Sequence, residues 1–190
     1  MPKIIDDRQI YRDILQAVTK HGYAAATTKR LAQAAGIGEV TLFRKYGNKA
    51  QLVKQAMLSM AEEADVESMV LYTGDVYADL LRVVTGYQDS AEKSGLFFYT
   101  LLIESSRHPE LEDALATLQT RITSVGHLLA RYQADGVLKP GHPIQMLISL
   151  VGPLITMNMM KKSALSNMAL PPIDLERYVA NFVEGHGVET

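Results

Sequence analysis

The side chains best suited to polar recognition lie between residues 38 and 49. Arg44 and Lys45 carry N–H donors that the O6 and N7 atoms of guanine accept, although attraction to a phosphate backbone is the alternative. Glu39 can accept from the N4 group of cytosine or cap its own helix, and Val40 can pack on a thymine methyl or simply be tolerated. This set of residue types points to the base edges of a nucleic acid.

Two other residues are suited to binding phosphate. Thr28 stands at the start of a predicted helix, where its hydroxyl and the free backbone N–H groups can bind an anion. Lys49 stands in the first turn of a later helix, where the helix dipole disfavours a cation. A bound phosphate would offset that cost, whereas an ordinary solvated lysine is the alternative.

Helices must position these residues, because helical periodicity dominates the chain and no run of residues alternates as a strand does. The sequence therefore predicts an all-α fold. Three short helices occupy the first fifty residues: the first ends before Gly22, the second starts at Thr27 or Thr28, and the third runs from Glu39 to Lys45.

The second and third of these helices form a helix-turn-helix pattern, which needs small residues where the helices cross and apolar residues that fix their angle. The small residues are Ala32, Ala35 and Gly36, and the apolar ones are Leu31, Ile37 and Leu42. Residues 1–50 carry nine Lys/Arg against four Asp/Glu, a net +5, whereas residues 51–190 carry a net −7. A basic N-terminal part on an otherwise acidic chain predicts that residues 1–50 contact phosphate groups.

This stretch resembles the tetracycline-repressor (TetR) family of bacterial transcription regulators. The resemblance rests on residues 27–37 (TTKRLAQAAGI), residues 41–46 (TLFRKY), Asn48-Lys49 and Leu52, with Gly22-Tyr23 before them, and it covers residues 10–53. It implies a homodimer whose third helix binds double-stranded DNA and whose body binds a small-molecule effector. The implied function is that of a repressor released from a palindromic operator by that effector.

The resemblance also implies which residues contact DNA. The positions that usually touch phosphates are Thr28, Thr41, Phe43 and Lys49, and those near base edges or the adjacent backbone are Gly38, Glu39, Val40, Arg44 and Lys45. Phe43 stands where the family commonly has tyrosine, so a phenolic phosphate contact is missing. Val40 stands where the family commonly has a small residue, often glycine.

The rest of the chain predicts more helices. A capping pattern at Asn48 and Gln51 starts a long helix, and breakers separate segments near 75–93, 95–106, 109–134, 141–162 and 173–184. We predict two domains, residues 1–50 for DNA binding and residues 51–190 for effector binding and dimerisation. The hinge is expected around residues 48–66, on a helix that belongs to both.

Two apolar sets in the body are candidates for a pocket and a dimer interface. Adaptable side chains predict a pocket for a mainly apolar effector, although ordinary core is the alternative for each; they are Met57, Met60, Tyr87, Phe98, Tyr99, Leu102, Leu118, Ile122 and Met146. Apolar stripes on the last two helices either close the monomer core or form a four-helix bundle with a second copy. The interface candidates are Ile148, Val151, Ile155, Tyr178, Val179 and Phe182.

Other classes of function have weaker support. The chain contains no cysteine, which excludes disulfides, thiolate metal sites and a cysteine nucleophile, and fits a reducing cytoplasm. The five histidines are dispersed and no phosphate-binding glycine loop or nucleophile elbow is present, so we expect no enzyme, metal ion or cofactor. The alternative function is a small-molecule-binding protein or enzyme whose helix-turn-helix does not bind an operator.

A membrane partner is not expected from the sequence. The longest apolar run, Met146 to Met160, would reach only about 22 Å as a helix, short of the ~30 Å hydrocarbon core of a bilayer. The first residues lack the apolar core of a signal peptide. We therefore expect a soluble, cytoplasmic protein.

Overall fold

The computed structural model describes residues 6–63, 66–94, 97–167 and 170–188. In these ranges the backbone forms α-helices, two short 3-10 turns and one isolated β-bridge, between Leu138 and Gly187, so the all-α prediction is confirmed. The helices are α1 Asp7–His21, α2 Thr28–Ala34, α3 Glu39–Tyr46, α4 Lys49–Glu63, α5 Val66–Met69, α6 Val76–Ser94, α7 Phe97–Ser105, α8 Glu112–Ala134, α9 Pro143–Lys161 and α10 Leu175–His186.

Local capping explains where the N-terminal helices begin. Thr27 is the N-cap of α2, and its side chain accepts a hydrogen bond from the Arg30 backbone N–H. Asn48 precedes α4 and accepts from the backbone N–H of Gln51 at 2.9 Å, as the capping pattern predicted. The helix α5 was missed because four residues are too few to show a helical period.

The described helices belong to two compact units. Unit 1 comprises residues 1–64 and 94–118, and unit 2 comprises residues 65–93 and 119–190. The helix α4 lies wholly in unit 1, and unit 2 begins at residue 65, within the stretch 48–66 where a hinge was expected. The hinge itself stays a prediction. The boundary predicted after residue 50 falls inside α4, and the assignment of separate functions to residues 1–50 and 51–190 stays a prediction.

Unit 1 has an apolar core built on α1. The helix α1 packs against α2, α4 and α7, so residues from the second segment of this unit complete the core of the first. Side chains from all of these elements are buried in it; the largest are Ile14, Tyr23, Leu31, Leu42, Leu52, Met57, Phe97, Leu101 and Leu111. This packing fixes the positions of α2 and α3 against α1 and α4.

The core of unit 2 contains a buried carboxylate. Asp79 of α6 is 0% exposed, and its oxygens accept hydrogen bonds from the Thr73 backbone N–H at 2.8 Å, the Thr73 hydroxyl at 2.7 Å, the Arg82 guanidinium at 2.6 Å and the Tyr132 hydroxyl. Burial raises the pKa of Asp79, but these hydrogen bonds outweigh it and hold the pKa below 3.8. The network fastens the segment before α6 to α6 and α8.

The helix α9 extends beyond the apolar run Met146 to Met160 at both ends. It has 19 residues, which corresponds to about 28 Å, so the expectation that this segment is too short to cross a membrane is wrong. Among the described helices, α9 alone is long and apolar enough for that by length and composition, and 22% of that stretch is buried within its own chain. Much of an apolar helix is therefore left open to contact something else.

Candidate nucleic-acid interface

Two backbone hydrogen bonds close the turn between α2 and α3 and cap the end of α2. The Ile37 N–H donates to the Ala32 carbonyl at 3.1 Å and the Gly36 N–H donates to the Gln33 carbonyl at 3.2 Å, the two bonds of a Schellman motif. Gly36 has a φ of +64°, which side chains disfavour, and a Cβ there would contact nothing within 4 Å. The backbone angle, rather than space, requires glycine at this turn.

Burial determines which face of α3 is presented. Leu42 and Tyr46, one turn apart, are buried in the core of unit 1, and Phe43 is half-buried beside them. The opposite face is exposed, as the helix-turn-helix pattern predicted. The exposed residues among the predicted DNA contacts are Thr28, Gly38, Glu39, Val40, Thr41, Arg44 and Lys45.

The two adjacent cations on α3 differ in their surroundings. The Lys45 ammonium donates to the carboxylate of Asp7, which also accepts from the Tyr46 hydroxyl at 2.7 Å. The hydrogen bond from Lys45, followed by that from Tyr46, holds the pKa of Asp7 below its usual value despite some burial. Among the residues that the structure describes, the exposed Arg44 guanidinium has no ion-pair partner.

Lys49 is half-buried and its ammonium is held against Tyr23. The Lys49 Nζ atom donates to the Tyr23 carbonyl oxygen at 2.8 Å and lies 3.9 Å from the centroid of the Tyr23 ring. Burial lowers the pKa of Lys49, against the opposing pull of Glu110 and Glu104. A phosphate contact therefore requires the Lys49 side chain to leave Tyr23.

Tyr23 connects this lysine to the segment after α7. Its ring packs edge-on against His108 with 4.9 Å between centroids, and burial together with Glu110 raises the pKa of the Tyr23 hydroxyl to about 12. The Nδ1 atom of His108 lies 3.3 Å from Oε1 of Glu110, and its Nε2 atom lies 3.6 Å from Oε2 of Glu104. Sequence reasoning missed these partners of Lys49, because they follow it by more than fifty residues and form no local motif.

The residues predicted to line an effector pocket do not all lie in one unit. Met57, Met60, Phe98, Tyr99, Leu102 and Leu118 belong to unit 1, whereas Tyr87, Ile122 and Met146 belong to unit 2. Met57 and Met146 are buried core residues, and Leu102 and Ile122 are exposed. The effector pocket stays a prediction. Met57 and Met146 fit the alternative given for each of these residues, that of an ordinary core side chain.

The predicted dimer residues divide in a similar way. Val179 and Phe182 lie in the core of unit 2, where their own chain covers them, so they offer little surface to a second copy. Tyr178 is half-buried and donates from its hydroxyl to the Leu150 carbonyl, which joins α10 to α9. Ile148 is 62% exposed, and Val151 and Ile155 beside it are half-buried. The open apolar face therefore lies on α9.

Comparison with known proteins agrees with this arrangement. A family model described as "Bacterial regulatory proteins, tetR family" matches residues 12–56, which include α2, the turn and α3. Two solved structures share the fold over nearly the whole chain. The TetR family transcriptional regulator PfmR from Thermus thermophilus has a TM-score of 0.66 and 19% identity, and the match covers 93% of this chain and 95% of that one. The fatty acid degradation regulator FadR from Bacillus halodurans has a TM-score of 0.66 and 17% identity, and the match covers 97% of this chain and 94% of that one.

The N-terminal helices of this chain thus resemble those of the tetR family. The chain's curated relatives include an uncharacterized HTH-type transcriptional regulator, YvkB of Bacillus subtilis, at 37% identity over 79 residues, which are 42% of this chain and 41% of the relative. A DNA-binding transcriptional repressor TetR of Mycobacteroides abscessus is 29% identical over 102 residues, 53% of each chain. The match thus spans about half the length of these relatives.

Proposed function

We propose that this protein is a homodimeric transcriptional regulator of the tetR family that binds double-stranded DNA in the cytoplasm and acts as a repressor. One observation carries the proposal: α3 buries Leu42 and Tyr46 and presents Val40, Arg44 and Lys45 outward from a rigid turn. A helix held in this way can enter a major groove without refolding. The repressor role is supported by the printed name of the Mycobacteroides abscessus relative.

Four polar side chains have a role in this proposal. Arg44 donates to the O6 and N7 atoms of a guanine, since its guanidinium is exposed and carries a fork of donors. Thr28, at the first residue of α2, binds a phosphate through its hydroxyl and the free N–H groups of the helix start. Lys45 adds a phosphate contact when its ammonium leaves Asp7, and Lys49 adds another when its ammonium leaves Tyr23.

A direct experiment is selection from a pool of random duplexes, followed by titration of the selected sequence at several salt concentrations. We expect a palindrome with half-sites about 34–36 Å apart, the separation of two α3 helices in successive major grooves. Retention on heparin or mixed DNA that salt does not reverse, or no retention at all, would favour the alternative of a ligand-binding protein or enzyme whose helix-turn-helix is unused.

The second copy in this proposal covers α9. Four residues of that helix, spaced four, three and four apart, form an open stripe: Ile148, Gly152, Ile155 and Met159. This spacing suits packing against another helix, and the glycine allows close approach. Polar residues, Gln145, Ser149 and Thr156, are exposed on the same helix, which favours a helix that borders on water over one immersed in lipid.

Replacing Ile148 with glutamate should convert the dimer to a monomer. The side chain is open in the single chain, so folding should survive, but a dimer would bury one unpaired carboxylate from each subunit. Sedimentation at micromolar concentration should show one species of 21.0 kDa, and operator affinity should fall because two half-sites are no longer bound together. Leu71→Glu, which places the same charge on an exposed leucine of unit 2 outside α9, is the control and should stay dimeric. A dimeric Ile148→Glu protein would contradict this interface.

Replacing Lys49 with alanine should weaken binding to every DNA sequence by the same factor. The slope of log affinity against log salt should also fall by about one unit for each bound subunit, because one phosphate contact is lost per chain. Lys20→Ala, at the end of α1, removes an exposed lysine of the same unit and is the control. If the Lys49 variant instead melts at a lower temperature and keeps the wild-type salt slope, Lys49 is a structural partner of Tyr23 and its phosphate contact is refuted.

The effector in this proposal is a small, mainly apolar molecule. It acts by binding a conformation of the dimer that cannot place both α3 helices at the operator spacing, and its effect equals its difference in affinity between the two conformations. Support comes from the apolar side chains that α4 and α7 leave open in unit 1, namely Leu58, Leu102 and Ile103. Fatty acyl compounds are the first probes to test, since one structural relative is named a fatty acid degradation regulator.

A further inference from the structure

Val40 is an apolar side chain in an unusual position. It is 81% exposed, the highest value among the large apolar residues that the structure describes, and it is the second residue of α3. It lies on the exposed face with Arg44, one helical turn further along, whereas Leu42 and Tyr46 fill the core beneath. Its side chain therefore contributes little to folding and is free to contact whatever α3 meets.

The chemistry of valine narrows what that contact can be. Its side chain has no hydrogen-bonding group, and branching at Cβ leaves one strongly preferred rotamer in a helix, so its two methyl groups point in a fixed direction. The floor of the major groove presents donors, acceptors and one apolar group, the C5-methyl of thymine. The favourable contact open to a valine at this position is with that methyl group.

We propose that Val40 selects a thymine in each half-site of the operator, about two base pairs from the guanine that Arg44 contacts. This inference rests on the proposed function and extends it to a second base. The spacing follows from geometry: four residues of α-helix rise about 6 Å, and base pairs follow one another every 3.4 Å along the duplex. Val40 is thus a specificity-determining residue rather than a surface residue that the helix merely tolerates.

The test replaces single thymines of the selected operator with deoxyuridine, which pairs identically and lacks only the methyl group. For the wild-type protein, one position per half-site should be sensitive, with affinity falling about fourfold for one half-site and about fifteenfold for both, the factor expected for losing one buried methyl. At all other thymines the loss should be small. The Val40→Ser protein should bind the thymine and deoxyuridine duplexes equally.

Folding does not confound this test, because an 81% exposed side chain can be replaced with little effect on stability, which a matching melting temperature verifies. Val137→Ser removes another partly exposed valine, in unit 2, and should keep the wild-type discrimination. If the wild type binds the selected operator yet tolerates deoxyuridine at every position, or if Val40→Ser still discriminates, the proposal is overturned while the proposed function stands. A wild-type protein that selects no sequence would overturn both.

Discussion

Replacing Arg44 with alanine should nearly abolish selective DNA binding. Each bidentate contact to guanine contributes about 1–3 kcal/mol of discrimination, and a dimer makes two, so affinity for the selected operator should fall at least about thirtyfold. The effect should exceed that of Lys45→Ala, because Lys45 must first give up its ion pair with Asp7, whereas the exposed Arg44 has no such partner among the described residues. Titrations of operator and of unrelated duplex DNA at one salt concentration measure both affinities.

Two variants show whether this loss concerns base recognition. Arg44→Lys keeps the charge but loses the planar fork of donors, so it should lose operator affinity and keep most of its affinity for unrelated DNA. Arg107→Ala removes an exposed arginine of the same unit, away from α3, and should behave as the wild type. Equal losses on operator and unrelated DNA with Arg44→Lys would mean that Arg44 contacts only the backbone.

Replacing Asp79 with asparagine should lower the free energy of unfolding by about 1–3 kcal/mol, the usual cost of leaving a buried hydrogen-bonding group without its partner. The amide has one acceptor oxygen where the carboxylate accepts from Thr73, Arg82 and Tyr132. The guanidinium of Arg82 would then be left beside a neutral group, and at least one buried donor would lose its partner. Chemical denaturation followed by circular dichroism at neutral pH measures the difference.

The same network predicts how stability depends on pH. Because the pKa of Asp79 is lower in the folded protein than the ordinary 3.8, its carboxylate stabilises the fold above that pH, and this contribution is lost as the pH falls below it. Asparagine does not titrate in this range. The stability difference between wild type and Asp79→Asn should therefore be constant near neutral pH and shrink in strong acid.

Asp89→Asn provides the matched comparison, since Asp89 is an exposed carboxylate on the same helix and its loss should change stability by no more than about 0.5 kcal/mol. An Asp79→Asn protein as stable as the wild type would show that the buried network is replaceable. A stability difference that stays constant down to the lowest pH would show that the Asp79 carboxylate is not the group that titrates.

Local sequence patterns were sufficient to predict the three N-terminal helices. Small residues and glycine at the turn, Thr27 as a cap and the period of Leu31 and Leu42 act through neighbours only a few residues away, and their outcome depends little on the rest of the chain. For the same reason the exposed face of α3 followed directly from its buried one. The number and bounds of the longer helices were predicted within a few residues from breakers and periodicity.

Residue type and periodicity by themselves determined the all-α class, the helix-turn-helix and the candidate reading residues of this protein. Only the tertiary structure decided that Lys49 rests on Tyr23, that Lys45 pairs with Asp7, that Asp79 is buried, and that Val179 belongs to the core while Ile148 stays open. The physical reason is distance along the chain. Such contacts join residues tens of positions apart, and an apolar stripe has the same sequence pattern whether its own chain or a second copy covers it.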